Sequence, residues 1–556
     1  MQKRAYKLLK NWCDTLLTYQ IKTNTPYTDK ALLCPACHVI HGRIADLCFP
    51  LTLLYVREND EKYLTAADEF IDWSEYNLKT MDGLWYNDIT NRWYATSEFA
   101  AMSIGEAIYH FGDKLPQKIY DKWTDIFFRM CEVFLTLDKR KSYSPVTNYY
   151  CGMCAVLAMA WKLSGEEKYL EKTKYWLDVV LSRIDSDGLL YGEGYPMETP
   201  SGRHTVDMGY NLEESIPLLL RYSSLSGDRP ELFKKLMLDH LEFLLPDGAI
   251  DDSFGCRHNK WTYWGSRTSD GIIEGLSLLL DDPICVDACE RALTLYESCT
   301  HNGLLSMPMA HEQNEPICLH HTFCHAKALA ALICAPEVEF HRTALPCENN
   351  YGIKSYQNDG VVLVSHGKWR ATFNASDTAS LNPNASNGGG SMTLLYRKDM
   401  GIVCAATSAV YHPTEITNQQ YLRNSENPPS MTAQFIIDGR QACYDNNVKL
   451  EYSDVTVKAI AEKWSAKFTF DEETLIIDLS CENGVYNLPI VCSKNTAVTL
   501  SSDKKTVNIG NIEVNSSVEL ICDTQKRILN QVGGLLYLPL SVKVNGNCQI
   551  IMKGNI

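Results

Sequence analysis

The chain has 556 residues, too many for one compact domain, and its 45% hydrophobic and 22% charged residues are typical of a globular protein. The net charge of −16 argues against a nucleic-acid partner, because nucleic acids require a basic surface. All apolar runs are shorter than the roughly 18 residues of a membrane-spanning helix, so we expect no membrane partner.

The N-terminal sequence and the cysteine content give an indication of the cellular compartment. Residues 1–19 have apolar residues at helical spacing but lack the apolar core and cleavage site of a signal peptide. The 21 cysteines are an odd number that suits a reducing compartment, and we interpret most of them as small buried apolar residues. As written, the sequence predicts a cytoplasmic protein, or a periplasmic one if a signal peptide has been removed.

Residues 1–346 repeat a pair of helices with a period of about fifty to sixty residues. The first helix of each pair is apolar nearly all round, at 44–55, 99–109, 151–163, 212–222, 272–280 and 326–332. The second is amphipathic, with examples at 61–76, 118–135, 167–184 and 232–244, and 6–19 closes the ring as an outer helix. A helix that is apolar all round must be buried on all sides, which favours an (α/α)6 toroid over an open α-solenoid.

After Pro346 the pattern changes to short β-branched and aromatic segments separated by Gly, Asn and Asp. Strands are expected at 361–364, 369–373, 392–396, 402–406, 433–437, 455–459, 466–470 and 475–479. Hairpin turns are expected at Asp438-Gly439 and Asn545-Gly546. We therefore predict an α+β protein with separate domains, in which an (α/α)6 toroid at 1–346 is followed by an antiparallel β-sandwich at 347–556.

Chemically unusual residues gather in the loops that lead into the inner helices, and these loops surround one mouth of a toroid. Seven of the 14 histidines lie there, at positions 38, 41, 204, 258, 320, 321 and 325. Sugar faces stack on Trp or Tyr, and carboxylates pair with Arg or His. The predicted substrate-binding residues are His41, Arg43, Tyr149, Glu193, Arg203, Arg257, His258, Lys260, Trp261, Trp264, Arg267, His320 and His321.

Two catalytic mechanisms are compatible with the residues at this mouth of the toroid. A glycosidase needs two carboxylates flanking the bond, for which candidates are Glu193, Asp207, Glu213 and Asp270. A polysaccharide lyase instead neutralises the carboxylate of a uronic acid and removes the proton at C5, with tyrosine as a suitable base. The residues that supply this second set are Asn148, Arg203, His204, Tyr210, Arg257, His258, Tyr263 and Arg267.

His, Tyr and Arg outnumber the carboxylates at the mouth, which favours a lyase acting on a uronic-acid-containing glycan. Three alternatives stay open. They are a glycoside hydrolase such as an unsaturated uronyl hydrolase, a zinc-dependent enzyme on an α/α barrel, and a non-catalytic glycan-binding protein.

The chain resembles the two-domain polysaccharide lyases that join an α/α toroid to a β-sandwich, which include heparinase II/III-like enzymes and the chondroitin and hyaluronate lyases. In the last two, an Asn on one inner-helix loop neutralises the uronate, and a His and a Tyr follow on a later loop. Thr147-Asn148-Tyr149 is similar to the first motif, and the segment from Arg203-His204 to Tyr210 is similar to the second. The resemblance implies Asn148, His204 and Tyr210 as catalytic residues, with Tyr263 as the rival base.

Three segments resemble a narrower family, the L-rhamnose-α-1,4-D-glucuronate lyases of polysaccharide lyase family 27. They are Cys34-Pro-Ala-Cys37 with His41-Gly-Arg43, residues 260–271 and residues 320–325. That family removes rhamnose caps from the glucuronate of plant arabinogalactan. The resemblance implies an exo-acting enzyme with a pocket, a tyrosine base and no required cofactor.

For the first loop, a metal site is the alternative interpretation to a sugar-binding site. Cys34-Pro-Ala-Cys37-His38 matches the short c-type haem attachment pattern. Zinc held by Cys34, Cys37, His38 or His41 is the other metal hypothesis, and Cys318 and Cys324 could supply a second pair of ligands. We expect no metal in the catalytic site and keep a structural zinc near Cys34 and Cys37 as the alternative. The sequence makes no prediction of the oligomeric state.

Overall fold

The structure is a computed structural model that describes residues 1–138, 144, 146–194, 197–377, 387–407, 430–530 and 533–555. Its first part is a ring of six helix pairs. The outer helices are α1 (Gln2–Leu17), α3 (Glu61–Asn77), α5 (Gln117–Thr136), α7 (Glu167–Leu181), α9 (Pro230–His240) and α11 (Pro283–Ser298). The inner helices are α2 (Cys48–Glu58), α4 (Ser97–Phe111), α6 (Thr147–Ser164), α8 (Met208–Tyr210, a π-helical turn at Asn211–Ser215, and Ile216–Ser226), α10 (Ile272–Leu276) and α12 (Leu319–Cys334).

The inner helices are buried because they are apolar on every face. In α6, for example, thirteen of the fourteen positions from Thr147 to Ala160 are buried, and Tyr149 is the exception. The first outer helix, α1, packs against the last inner helix, α12, and this contact closes the ring. Among the described residues, none of the helices is both long enough and apolar enough to cross a membrane.

All six inner helices differ at their ends from the predicted ranges; α10 is shortened most, and α12 begins furthest from its predicted start. Helix α10 ends at Leu276 rather than at residue 280, because Asp282 already caps α11, which begins at Pro283. Helix α12 begins at Leu319, seven residues before the predicted start at 326, so that His320, His321 and His325 lie on the helix rather than in a loop.

The second part consists of antiparallel sheets. A five-stranded meander contains Gly352–Tyr356, Val361–His366, Trp369–Asn374, Ser391–Arg397 and Gly401–Ala405. The order of the main strands of the large sheet is Lys449–Ser453, Thr456–Ile460, Trp464–Phe470, Thr474–Asn487, Leu540–Gly554, Ile512–Ser516, Thr506–Ile509 and Val498–Leu500. Gln434–Ile437, Arg440–Gln441 and Leu520–Cys522 pair beside this path, and Ile490–Val491, Leu535–Leu538 and Ile528–Asn530 form a small sheet.

The meander packs face to face on the large sheet, as the ring of Phe373 against Phe468 and Phe470 illustrates, with centroids 4.9 and 6.3 Å apart. The predicted fold class is confirmed: a helical toroid precedes an antiparallel β-domain.

The two predicted hairpin turns have different outcomes. Ile437 pairs with Arg440, so Asp438 and Gly439 form a two-residue turn, and both have the positive φ that a type I′ turn requires. The prediction at Asn545-Gly546 is wrong, because the strand Leu540–Gly554 runs through it. Gly546 has φ +85° and lies opposite a register shift in the partner strand, so this dipeptide marks a bulge.

Candidate active site

A cavity of about 280 Å³ lies at the mouth of the toroid where the inner helices begin. Each of the six inner helices contributes to its lining, either from its first turns or from the loop that precedes it. The residues that line it are Arg43, Asn87, Asn91, Trp93, Thr96, Phe99, Ser144, Val146, Asn148, Tyr149, Tyr210, Glu214, Arg257, Lys260, Thr268 and His320. Seven of the predicted site residues therefore meet at one place.

Tyr210 lies at the centre of the polar contacts in this cavity. Its hydroxyl is 2.5 Å from Oγ1 of Thr268 and 2.8 Å from Nζ of Lys260. The guanidinium of Arg257 stacks over the Tyr210 ring, 3.9 Å from the ring centroid. The phenol thus faces one hydroxyl and two basic groups.

Asp207 sets the positions of both Tyr210 and Arg257. It caps the N-terminus of α8, and its Oδ1 accepts a hydrogen bond of 3.0 Å from the backbone N–H of Tyr210. Its Oδ2 accepts one of 2.8 Å from the backbone N–H of Arg257. One buried carboxylate therefore links the helix that carries the phenol to the loop that carries the cation.

Burial disfavours the charged forms of both Tyr210 and Lys260. It raises the pKa of the Tyr210 phenol, against the opposing charge of Arg257. It also lowers the pKa of Lys260 well below the usual value, and Arg257 lowers it further. A phenol and an amine in contact have the same total charge as a phenolate and an ammonium, so a proton can pass between them without changing the charge of the site.

Glu214 lies one helical turn after Tyr210, next to Asn148. The side-chain amide of Asn148 donates a hydrogen bond of 3.1 Å to Oε2 of Glu214. Burial, followed by the charge of Asp270, raises the pKa of Glu214 to about 8. The carboxyl is therefore protonated at neutral pH and can donate a hydrogen bond to an anion in the cavity.

The π-helical turn at Asn211–Ser215 directs Glu213 away from the cavity and towards the loop before α10. Oε2 of Glu213 accepts hydrogen bonds of 2.6 Å from the Ser266 N–H and 2.5 Å from the Ser269 hydroxyl. A Cβ on Gly265 would lie only 2.1 Å from this carboxylate, so the close approach requires glycine. Glu213 thus anchors the loop that carries Lys260 and Thr268.

Arg43 supports Thr268 from the first loop. Its Nη1 donates a hydrogen bond of 2.8 Å to the Thr268 carbonyl, and its Nη2 contacts Asp46 at 2.7 Å and Asp270 at 2.8 Å. Lys327 donates to the other oxygen of Asp270 at 2.6 Å. The charge of Arg43 is therefore largely balanced by internal carboxylates, and the residue positions its neighbours.

Glu193 lies beneath the cavity. Its Oε1 accepts hydrogen bonds of 2.6 Å from the Asn148 backbone N–H and 3.2 Å from the Ser215 hydroxyl, and Oε2 is 3.4 Å from Arg257. Burial raises the pKa of Glu193 to about 6. This predicted binding residue supports Asn148 and Arg257 from below.

The structure does not bring Tyr263 or Trp261 to the cavity. The Tyr263 hydroxyl is 3.2 Å from Asp247, and Nε1 of Trp261 donates to the Ile250 carbonyl. Both rings belong to an apolar cluster that includes residues of the β-domain, because the loop between α9 and α10 packs against that domain. Tyr263 is therefore not positioned to act as a base.

His204 and Arg203 also lie outside the cavity, at the contact between the domains. Nδ1 of His204 is 3.2 Å from Asp185, and its ring stacks on Tyr191 with centroids 3.8 Å apart. The guanidinium of Arg203 donates to the carbonyl of Ala375 in the β-domain. The Arg203 side chain and the His204 backbone N–H, which donates to the Asn358 carbonyl, therefore both contact the β-domain.

Four further predicted binding residues are buried between the helices and loops. Trp264 donates from Nε1 to the Ser306 carbonyl, and its ring contacts His321 at 5.6 Å. Arg267 donates to the carbonyl of Asn259. Burial lowers the pKa of His258 and of His321 to about 3, so neither offers a positive charge to a uronate. His41 is another predicted binding residue that lies outside the cavity. Its Nε2 is 3.1 Å from Sγ of Cys37.

Nine of the residues that line the cavity were not predicted from the sequence, and three of them form hydrogen bonds with predicted residues. Thr268 contacts the Tyr210 hydroxyl, and Glu214 contacts Asn148. Trp93 is half-buried and donates from Nε1 to the Tyr149 hydroxyl at 3.1 Å, which forms an aromatic wall. The four-residue spacing from Tyr210 could have indicated Glu214, and the Trp-Tyr pair before α4 could have indicated Trp93.

Known proteins are similar to this chain in sequence and in fold. The family model of the ulvan lyase N-terminal domain matches residues 9–346, more than half of the chain, and that of the ulvan lyase C-terminal domain matches residues 353–463. A broad-specificity ulvan lyase from Formosa agariphila is 35% identical over 436 residues, which cover 74% of this chain and 67% of the relative. The narrower resemblance to rhamnose-glucuronate lyases is not confirmed.

Solved structures show the same architecture. A chondroitin AC lyase from Streptomyces coelicolor aligns with a TM-score of 0.54 and 11% identity, over 100% of this chain and 79% of its own. A xanthan lyase from Paenibacillus aligns with a TM-score of 0.51 and 8% identity, over 100% of this chain and 57% of its own. At sequence identities this low, the similarity to these two structures shows a shared fold and nothing more.

Proposed function

The chain belongs to the ulvan lyase family and is a polysaccharide lyase, and from this premise we propose that it breaks the bond at C4 of a uronic acid by β-elimination, which leaves a 4,5-unsaturated uronide. Ulvan contains rhamnose and glucuronate. The preferred substrate is therefore an acidic polysaccharide of the ulvan type, cleaved between rhamnose and glucuronate. Exo-acting removal of rhamnose from the glucuronate caps of arabinogalactan is the narrower form of this hypothesis.

The observation that supports elimination is the pairing of the Tyr210 hydroxyl with Lys260, one helical turn from the neutral carboxyl of Glu214. Removal of the C5 proton places negative charge on the substrate carboxylate. Glu214, as a protonated acid, and the Arg257 guanidinium are the groups that hold this charge, and Asn148 orients Glu214.

The proton transfers follow from the Tyr210 contacts. Lys260 accepts the phenolic proton, and the resulting phenolate takes the proton from C5. The electron pair of the C5–H bond forms the C4–C5 double bond as the C4–O4 bond breaks, and the departing oxygen takes the transferred proton from Tyr210. The ammonium of Lys260 then returns its proton to the phenolate, which restores the resting pair. In glucuronate the C5 hydrogen and O4 lie on the same face of the ring, so one residue can serve as base and then as acid.

Hydrolysis requires two carboxylates that face the bond. Among the described residues that line the cavity, Glu214 is the one acidic side chain. The four carboxylates predicted for a hydrolase are engaged elsewhere: Glu193 contacts Asn148 and Arg257, Asp207 caps α8, Glu213 anchors a loop, and Asp270 pairs with Arg43 and Lys327.

The test is the ultraviolet absorbance of the conjugated double bond during incubation with ulvan, with arabinogalactan and with a uronate-free glycan. We expect absorbance to rise with ulvan and to stay flat with the uronate-free control. Free rhamnose released from arabinogalactan would support the narrower substrate. New reducing ends without absorbance would show hydrolysis and contradict the proposal.

A further inference from the structure

We propose that Cys34, Cys37, His41 and Cys318 bind one structural zinc ion. These three thiols and one imidazole are buried together, and their four ligand atoms all lie within 4.8 Å of one another. Sγ of Cys34 is 3.8 Å from Sγ of Cys318, and Nε2 of His41 is 3.1 Å from Sγ of Cys37 and 3.6 Å from Sγ of Cys318.

The Cys34–Cys318 and His41–Cys318 separations match those of a tetrahedral site, and the His41–Cys37 separation is shorter. With Zn–S bonds of about 2.3 Å and Zn–N bonds of about 2.0 Å, tetrahedral geometry places two sulfurs about 3.8 Å apart and a sulfur and a nitrogen about 3.5 Å apart. The Cys34 and Cys318 sulfurs are too far apart for a disulfide, whose sulfurs are about 2.05 Å apart.

The local backbone forms a short chelating loop. The His38 N–H donates to the Cys34 carbonyl at 3.0 Å, and the Cys34 N–H donates to the Val39 carbonyl at 3.0 Å. His38 adopts φ +57°, which turns the chain so that both thiols and the His41 ring reach one point. Cys318, the fourth ligand, immediately precedes α12.

The donor set selects the metal and its role. Three thiolates and one imidazole are soft ligands that favour zinc over magnesium or calcium. Four protein ligands leave no open position for water or substrate, which is the pattern of a structural rather than a catalytic zinc. The set differs from the one considered from sequence, because His38 is exposed and Sγ of Cys324 instead contacts Asp46 at 3.9 Å.

The ion would join the first loop of the toroid to the start of the last inner helix. Arg43 lies two residues after His41, and His320 lies two residues after Cys318; both line the cavity. The rings of His41 and His320 are in contact, with centroids 5.1 Å apart. Zinc therefore positions two parts of the cavity wall without touching the substrate.

The experiment measures zinc by mass spectrometry in the purified full-length chain and in single variants. We expect one zinc per chain in the parent protein and loss of zinc in Cys37→Ser and Cys318→Ser. Cys324→Ser is the matched control, because this buried cysteine is on α12 outside the cluster and should retain the ion. A parent protein without zinc, or variants of Cys37 or Cys318 that keep it, would overturn the proposal.

If those variants do not fold, a second measurement tests the zinc site in the parent protein. The parent protein is produced with cobalt in place of zinc, and its absorption spectrum is recorded. Intense thiolate-to-cobalt charge transfer with tetrahedral ligand-field bands supports the site, and a spectrum without them overturns it. Both readouts are independent of lyase activity, so they can fail or succeed separately from the proposed function.

Discussion

Tyr210 and Lys260 differ from the other polar side chains of the mouth because they contact each other inside the cavity, with their pKa values shifted in opposite directions. Burial makes the phenol harder to ionise and the amine easier to deprotonate. A substrate carboxylate held by Arg257 and Glu214 would arrive next to this pair.

Replacing Tyr210 with phenylalanine removes the proposed base and acid while retaining the ring. We expect kcat to fall by at least about 10³-fold, within the range of about 10²–10⁴-fold for an acid–base group. Tyr263→Phe is the matched control, because it removes a buried hydroxyl outside the cavity, and its kcat should stay within about tenfold of the parent. Near-parental turnover by Tyr210→Phe would disprove the assignment.

Lys260→Arg separates charge from proton transfer. Arginine is permanently charged in proteins, so it supplies a cation but cannot accept the proton of Tyr210. We expect steady-state kinetics to show kcat lowered by about 10²-fold or more, with a much smaller change in KM. A fully active arginine variant would mean that Lys260 acts only as a cation.

The pH dependence tests Glu214. Its pKa is raised to about 8, so the neutral, hydrogen-bond-donating form is present below that pH and is lost as pH rises through it. We expect kcat/KM to fall on the alkaline side near pH 8. In Glu214→Gln, which cannot ionise but still donates, this fall should disappear; an unchanged alkaline limb would assign it to another group.

At the scale of single elements, the π-helical turn of α8 gives Glu213 and Glu214 different tasks although they are adjacent. Glu214 lines the cavity, and Glu213 holds the loop at Ser266 and Ser269. The loop can approach this closely because Gly265 has no side chain.

Gly265→Ala should therefore destabilise the fold by more than an ordinary substitution at positive φ. The matched control is Gly227→Ala. Gly227 also has positive φ, but apart from its chain neighbours none of the described residues has an atom within 4 Å of the added Cβ. We expect the free energy of unfolding to fall by about 1–3 kcal/mol more in Gly265→Ala, the usual cost of overpacking. Equal denaturant midpoints for the two variants would contradict the close contact.

The predictability of the elements depended on how local their signals were. The apolar inner helices and alternating strands are visible in short windows, and their positions agree with the structure. The start of α12 was missed because His320 and His321 read as polar loop residues, whereas the fold buries them. Asn545-Gly546 has the local signal of a turn, but pairing with the distant strand Thr474–Asn487 makes it a bulge.

At the scale of the whole molecule, the cavity exists because six inner helices begin at the same end of the ring. Asn148, Tyr210, Arg257 and Lys260 could be predicted from that topology and from residue chemistry. His204 and Tyr263 could not be excluded, because their loops contact the β-domain, and a contact between distant segments leaves no local sequence signal.

Elimination by Tyr210, as opposed to hydrolysis by carboxylates, is the central claim, and the isotopic composition of the product tests it most directly. The parent protein would cleave a glucuronate-containing polysaccharide in water enriched in oxygen-18, with mass analysis of the new chain ends. Elimination predicts an unsaturated uronide that is one water lighter than a hydrolysis product and contains no oxygen-18 from the cleavage step. A saturated uronate end, with one oxygen-18 at each new reducing end, would contradict it.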